Sequence, residues 1–417
     1  MRKKYFRIPA IILLFVAGCT KEQMPGPIKL VPEGEKGSSK MLVDGVISSW
    51  ESSDHVNVNG MELPITLDNG NAFINDVVPS SDYCIVFPAA VYSGHTGSTV
   101  TVDMPATYMY RYKYNSSSDT YTQILDAPLA YFGTAEDGTA IMKHLTGAFN
   151  IQIIRPTGMR IQRIAVSTSQ NHVMSGEMQF DMVDIDNIGS SAVNTINNNT
   201  VEMLFDFYNL EGTTNFLQGC RLPDNVSSVQ IPIPVLTGNV NFTITVEGIL
   251  DGIKHTFQRT QATGGHLGRG EMANVSVNMN AGQPGVTTSA LFETTTVDGT
   301  TYYMISDAHD FRLMAYAVTG IRSGSAVDED WTWAPTYYNG VDYSEANYLV
   351  MADFDMGGIV VTHARGFEGE FNGGGHTISN VVTSGDYWAN GLFAALGGGH
   401  SLPRLNHSAL EVQRFYK

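Results

Sequence analysis

Phe149, Ile151 and Ile153 alternate with Asn150 and Gln152, and further on Val240, Phe242, Ile244 and Val246 alternate with Asn241, Thr243 and Thr245. Val275, Val277 and Met279 repeat the pattern. A period of two sends the apolar side chains of an extended strand to one face and the polar ones to the other. Such strands are stable only where a sheet has one face covered, and two antiparallel sheets packed face to face satisfy several of them at once. The chain is therefore expected to be all-β. Its 42 glycines and its low charged fraction of 16% agree with short strands joined by tight turns.

Other segments refine this expectation. Val56 and Val58 alternate with Asn57 and Asn59, and Asn69-Gly70 is a hairpin turn signal. Tyr83-Cys84-Ile85-Val86-Phe87 is apolar throughout, which fits a central strand covered on both faces. In Val229-Gln230-Ile231-Pro232-Ile233-Pro234-Val235 the two prolines lie two positions apart, so both missing N–H donors point to the same side. A central strand would lose two ladder bonds there, so this segment is expected at a sheet edge, blunted against further pairing. Ser306-Asp307-Ala308-His309-Asp310 reads as a helix start, followed by Phe311, Met314 and Val318 on one helical face. The expected organisation is a leader over 1–18, a flexible tether over 19–40, β-sandwiches over 41–138 and 139–281, and a different texture, rich in Gly and Asn, over 282–417.

The chain begins with Arg2, Lys3, Lys4 and Arg7 and an apolar run from Ile11 to Ala17, too short to cross a bilayer. Leu14-Phe15-Val16-Ala17-Gly18-Cys19 looks like a lipobox, which implies cleavage before Cys19 and acylation of its thiol. The expected location is the outer membrane, lipid-anchored and facing the cell surface. With 41 acidic against 24 basic residues the net charge is −17, so a phosphate backbone would be repelled and nucleic acid is not an expected partner. Cys84 and Cys220 lie far apart in sequence and are expected to be separate buried thiols, not a disulfide.

The order of several segments resembles the fimbrillin-like family of Bacteroidota lipoproteins. They are Trp50-Glu51-Ser52-Ser53-Asp54-His55-Val56-Asn57-Val58, Tyr83 to Ala89, Val102-Asp103-Met104-Pro105-Ala106, Ala127-Pro128-Leu129-Ala130, Lys143 to Ala148, Ile161 to Val166, and Met174-Ser175-Gly176. The resemblance implies two tandem β-sandwich domains of transthyretin-like type. It also implies a stalk, anchor or tip subunit of a surface fimbria, trimmed by a trypsin-like protease and joined to other subunits by inserting a strand into a neighbour's groove. Lys36 and Lys40 would be the trimming sites. Gly366 to Asn380, followed by Gly391-Leu392-Phe393, is similar to one rung of a GLUG-type repeat. That resemblance implies an incomplete right-handed parallel β-solenoid, since one rung cannot bury its own face. Beyond Gly399 the strand pattern is lost, as expected of a chain cut short.

No catalytic pattern is present: there is no His-Glu-x-x-His, Cys-x-x-Cys or Gly-x-Ser-x-Gly. No enzyme activity, cofactor or metal is expected. Asp353 and Asp355, with Asp342 and Glu345 upstream, are too few oxygens for a known calcium loop. Tyr108, Tyr110, Tyr112 and Tyr114 alternate with Met109, Arg111 and Lys113, and as a single strand they would present four phenols on one face for a sugar or protein. The leading expectation is a surface adhesin or fimbrial accessory subunit, partnered by the membrane, other fimbrial subunits, and a host or bacterial surface protein or glycan. The alternative is a glycan-binding lipoprotein of a polysaccharide-uptake system.

Overall fold

The architecture is that of a computed structural model. It describes residues 26–33, 39–43, 46–75, 77–135, 137–168, 172–185, 191–192, 199–205, 220–235, 239–261, 265, 267–319, 337–338, 341–357, 359–362, 364–384, 393–396 and 405–406. These are dominated by β-strands, with one α-helix of twelve residues, Ala308–Thr319. No described helix is long and apolar enough to cross a membrane.

The first unit is a closed ring of strands. Ile28–Pro32 runs parallel to Thr139–His144 and antiparallel to Asn71–Ile74, and this double pairing closes the barrel. Leu129–Gly133, Tyr83–Phe87, His55–Val58 and Met61–Asp68 complete it. Two expectations are corrected here. The unit is a barrel, not an open sandwich, and the range expected as a tether supplies its closing strand. Ile28 and Leu30 are 2% and 0% exposed, so the prolines around this short segment flank a buried strand. At the end of the expected tether, Ser39 and Lys40 open a hairpin strand, Ser39–Val43.

Tyr83–Phe87 is buried along its whole length. Tyr83, Ile85 and Phe87 join the barrel core with Leu30, Val58 and Leu129. Cys84 and Val86 point outward onto Val100, Val102, Met178 and Phe180 of a four-stranded sheet. That sheet unites Tyr92–Thr96 and Thr99–Met104 with Gly176–Asp181 and Ser191–Ala192. Strands from both sides of residue 138 thus share one sheet, and the expected division at 138/139 does not separate two independent units.

The second unit is two-layered. A six-stranded sheet runs in the order Thr107–Met109, Thr200–Leu204, Arg160–Thr168, Phe242–Leu250, Ile253–Thr260 and Val286–Ala290. A three-stranded sheet, Ser228–Pro234, Thr146–Ile154 and Met272–Asn278, lies against it. Between them sit Phe149, Ile151, Ile153, Phe242, Ile244, Val246 and Val277, the apolar sides of the alternating segments.

The third part stacks short parallel strands. Tyr348–Val350 pairs with Phe371–Asn372, Phe354–Asp355 with Ile378–Ser379, and Val360–Thr362 with Val382–Ser384. Thr300–Ile305 and Leu405–Asn406 extend the first of these ladders at either end. Two successive turns of chain are therefore in register, where the sequence displays a single clear repeat. The helix packs beside them: Phe311 and Met314 are fully buried, with the Phe311 ring 5.9 Å from Phe354 and 6.3 Å from Phe371. Asp307 Oδ1 accepts the N–H groups of His309 and Asp310 (both 2.9 Å) and caps the helix start.

Candidate strand-binding groove

The three-stranded sheet has two outer strands, and they differ. Ser228–Pro234 is an outer strand, as its proline spacing predicts. Pro232 and Pro234 lie opposite Ala148 and Thr146. The Ala148 N–H is spent on the Glu271 carbonyl of the other neighbour (2.9 Å), so at this register position Pro232 faces away from the sheet. Gln230 shares that orientation, and its outward groups are met by one side chain. Gln123 Nε2 donates to the Gln230 carbonyl (2.8 Å), and Gln123 Oε1 accepts the Gln230 N–H (2.8 Å). Both residues are buried. Two prolines and a backbone-mimicking amide close this edge.

The opposite edge is open. Met272–Asn278 runs parallel to Thr146–Ile154, and among the described residues no strand pairs with its other side. Glu271 O receives Ala148 N–H (2.9 Å) and Met279 N–H reaches Ile154 O (2.8 Å), so the odd-numbered residues turn their peptide groups inward. Asn274 and Ser276 turn theirs outward. Beside this edge the two layers part to leave a cavity of about 320 Å³. Its apolar lining comes from Phe149, Phe242, Ile244, Leu267, Ala273 and Val275, and Asn274, Ser276 and Arg259 border it. The arrangement presents unpaired backbone next to an apolar trough, which is what an added β-strand requires.

The predicted site residues are placed differently from expectation. The tyrosine run breaks at Tyr110. Thr107–Met109 joins the six-stranded sheet, while Arg111–Asn115 forms a hairpin with Thr120–Ile124. Tyr108 and Tyr110 are consequently core residues, 9% and 1% exposed, with the Tyr110 ring 4.9 Å from Phe205, and burial pushes both phenols up in pKa. Only Tyr112 and Tyr114 reach the surface region, with Tyr121 edge-on to Tyr112 at 4.9 Å and tilted against Tyr114 at 4.8 Å. The four do not share a face. Cys19 and Lys36 lie outside the described residues, as does the side chain of Lys40. Cys84 and Cys220 are free and buried.

Three of the four acidic residues weighed for calcium, Asp342, Asp353 and Asp355, serve local hydrogen bonds. Asp353 Oδ1 accepts the Thr377 N–H (2.9 Å) and lies 3.1 Å from His376 Nδ1; these bonds hold its carboxyl below the usual range. Asp355 accepts from Gly357 N–H and the Asn380 amide, tying one turn of the stack to the next, and is lowered for that reason. Asp342 Oδ1 accepts from Ser344.

A second polar cluster joins the sandwich to the helix. The buried Glu202 carboxylate accepts from Arg163 Nε (2.6 Å) and Thr107 Oγ1 (3.1 Å) and lies 3.2 Å from His309 Nε2. Burial opposes its charge, but His309 and Arg163 outweigh that and hold its pKa at about 2. Nearby, Arg312 donates to the Phe205 carbonyl (2.6 Å). This cluster links the sandwich to the helix.

No family profile matches this chain, and no curated protein matches it. Among solved structures it is similar to a candidate cell adhesion protein from Bacteroides ovatus, at 13% identity and a TM-score of 0.33, over 63% of this chain and 95% of that one. A candidate cell adhesion protein from Bacteroides fragilis is similar at 11% identity and a TM-score of 0.34, over 65% and 99%. A fimbrial protein from Bacteroides ovatus is similar at 9% identity and a TM-score of 0.27, over 60% and 48%.

Proposed function

We propose that the chain is a non-enzymatic surface subunit of the fimbrial or adhesin type, anchored through lipid on Cys19, that takes a β-strand from a partner chain into the groove beside Met272–Asn278. The observation that carries this reading is the asymmetry of the three-stranded sheet, with one outer strand sealed and the other open along an apolar trough. Main-chain pairing would supply affinity, and the trough would take alternate side chains of the incoming strand. The parallel stack, read as an incomplete solenoid, would stand at the contact surface. A cut at Lys36 would detach Ile28–Pro32, the strand that closes the barrel, so trimming would act on the barrel ring.

Filling the trough tests this. Ala273→Trp should leave the far-ultraviolet circular dichroism unchanged and abolish both incorporation into surface assemblies, seen by electron microscopy, and adherence of the cells. Unchanged assembly and adherence would overturn the reading. A glycan-binding role is the second reading, and the aromatic cluster of Tyr112, Tyr114 and Tyr121 on the hairpin favours it. Saccharide-specific binding on a glycan array, lost in Tyr114→Ala, would support that reading over the first.

A further inference from the structure

His255, Phe257 and Arg259 follow one another on the same side of the Ile253–Thr260 strand. The first two are buried, each 5% exposed, and Phe257 lies in the core shared with the three-stranded sheet. Arg259 continues the row onto the wall of the groove and is exposed, because the facing layer ends at Met272–Asn278. Its guanidinium thus lies on the side of the sheet that a further strand would cover. Among the described residues no carboxylate pairs with it. Exposed beside an apolar trough, this cation is available to a carboxylate that an added strand would carry, and would lose water to that strand as it is covered.

We propose that the groove selects for a strand of another polypeptide that bears a carboxylate, which meets Arg259 as that strand pairs with Asn274 and Ser276. The proposal rests on the strand-acceptor reading above and adds to it the chemistry of the partner. Neutral strands would gain the same backbone pairing and the same trough but would leave the guanidinium covered and unmatched. Arginine suits this role because its planar fork binds a carboxylate through two parallel hydrogen bonds.

The test uses the full chain and fluorescent peptides with blocked ends that alternate valine and threonine. Two carry one aspartate, at the first or the last position, and each has an asparagine counterpart. One aspartate peptide should bind about tenfold more tightly than its counterpart, a gap expected of a partly desolvated charge pair. The gap should close in Arg259→Gln and shrink in 1 M salt, and Arg259→Glu should instead favour a lysine version. Ala273→Trp should remove binding of every peptide. Equal binding of aspartate and asparagine peptides in both orders overturns the selectivity while leaving strand acceptance standing. Tighter binding of all peptides by Arg259→Gln would make the arginine a guard against strand addition and would also overturn it. Binding of no peptide removes the acceptor reading itself.

Discussion

Gln123 does with one amide what a neighbouring strand would do with its backbone. Its Nε2 and Oε1 complete the hydrogen bonding of Gln230, whose outward N–H and carbonyl would otherwise be buried without partners. Replacing it by leucine keeps the volume and removes both bonds. An unsatisfied buried polar group costs about 1–3 kcal/mol, so Gln123→Leu should lower stability by about that amount. Hydrogen exchange of the Gln230 amide should accelerate in step, and an unchanged rate would show that the edge is sealed by the prolines alone. A second residue-scale outcome concerns Cys84. It is fully buried between the barrel and the four-stranded sheet, and burial pushes its thiol up to about 12. The thiolate is the reactive form. Iodoacetamide at pH 8 should leave Cys84 unmodified in the folded protein and alkylate it after unfolding, as read by mass spectrometry; rapid native labelling would contradict the packing.

At the scale of elements, the helix shows what the sequence could and could not reveal. Phe311, Met314 and Val318 form a legible apolar stripe, and it lies on the parallel stack. The other face, His309, Arg312, Leu313 and Tyr316, packs beside Leu204, Arg163 and Glu247 of the sandwich. Its burial depends on charged partners, Arg163 and Glu247, that lie at least 62 positions away in sequence, and no local periodicity reports them. The same limit hid the groove. Val275 and Val277 were legible as one face of a strand, but whether that strand has one neighbour or two is a property of the assembled sheet. Ser228–Pro234 was the exception, because proline writes edge status into the chain itself. The parallel stack was half legible: Gly373 to Gly375 marks the turn after Phe371–Asn372, whereas the preceding turn of chain carries its glycine pair, Gly357-Gly358, after a different strand, Phe354–Asp355, so the two do not read as one repeat. Within the helix, the cap is separable from the packing. Asp307→Ala removes the acceptor for two N–H groups and should cost about 1 kcal/mol. Faster exchange confined to the amides of residues 308–312 would report it, whereas uniform exchange along the helix would mean that packing alone fixes its start.

Across the whole molecule, buried ionisable groups sit where the parts meet, and they give the assembly two successive acid-sensitive windows. Glu202, between the sandwich and the helix, has its pKa lowered to about 2 from 4.5, so its stabilising effect is complete above the upper value and lost as pH falls towards the lower. His144 is the group at the other junction. It lies at the end of a barrel strand, beside Gly270 of the loop that also carries Arg269, whose guanidinium pairs with Glu33 of the barrel. Burial above all, with Arg269 adding to it and Glu33 opposing, lowers its pKa from 6.5 to about 4. Its Nδ1 has no hydrogen-bond partner among the described residues, so an imidazolium there would be unmatched. Between pH 6.5 and 4 the unfolded chain takes up a proton that the folded one refuses, and stability must fall as the pH drops through that window. At about 1.4 kcal/mol per pKa unit the loss approaches about 3 kcal/mol when the window is crossed in full. Glu202 itself stays ionised at both pH 7 and pH 5, and the His144→Gln variant separates His144 from the other ten histidines. Exchange of the Thr139–His144 amides, corrected for the intrinsic effect of pH, should show this strand weakening at pH 5 in the native sequence and not in His144→Gln. Equal weakening in both would place the acid sensitivity of the barrel–sandwich junction elsewhere.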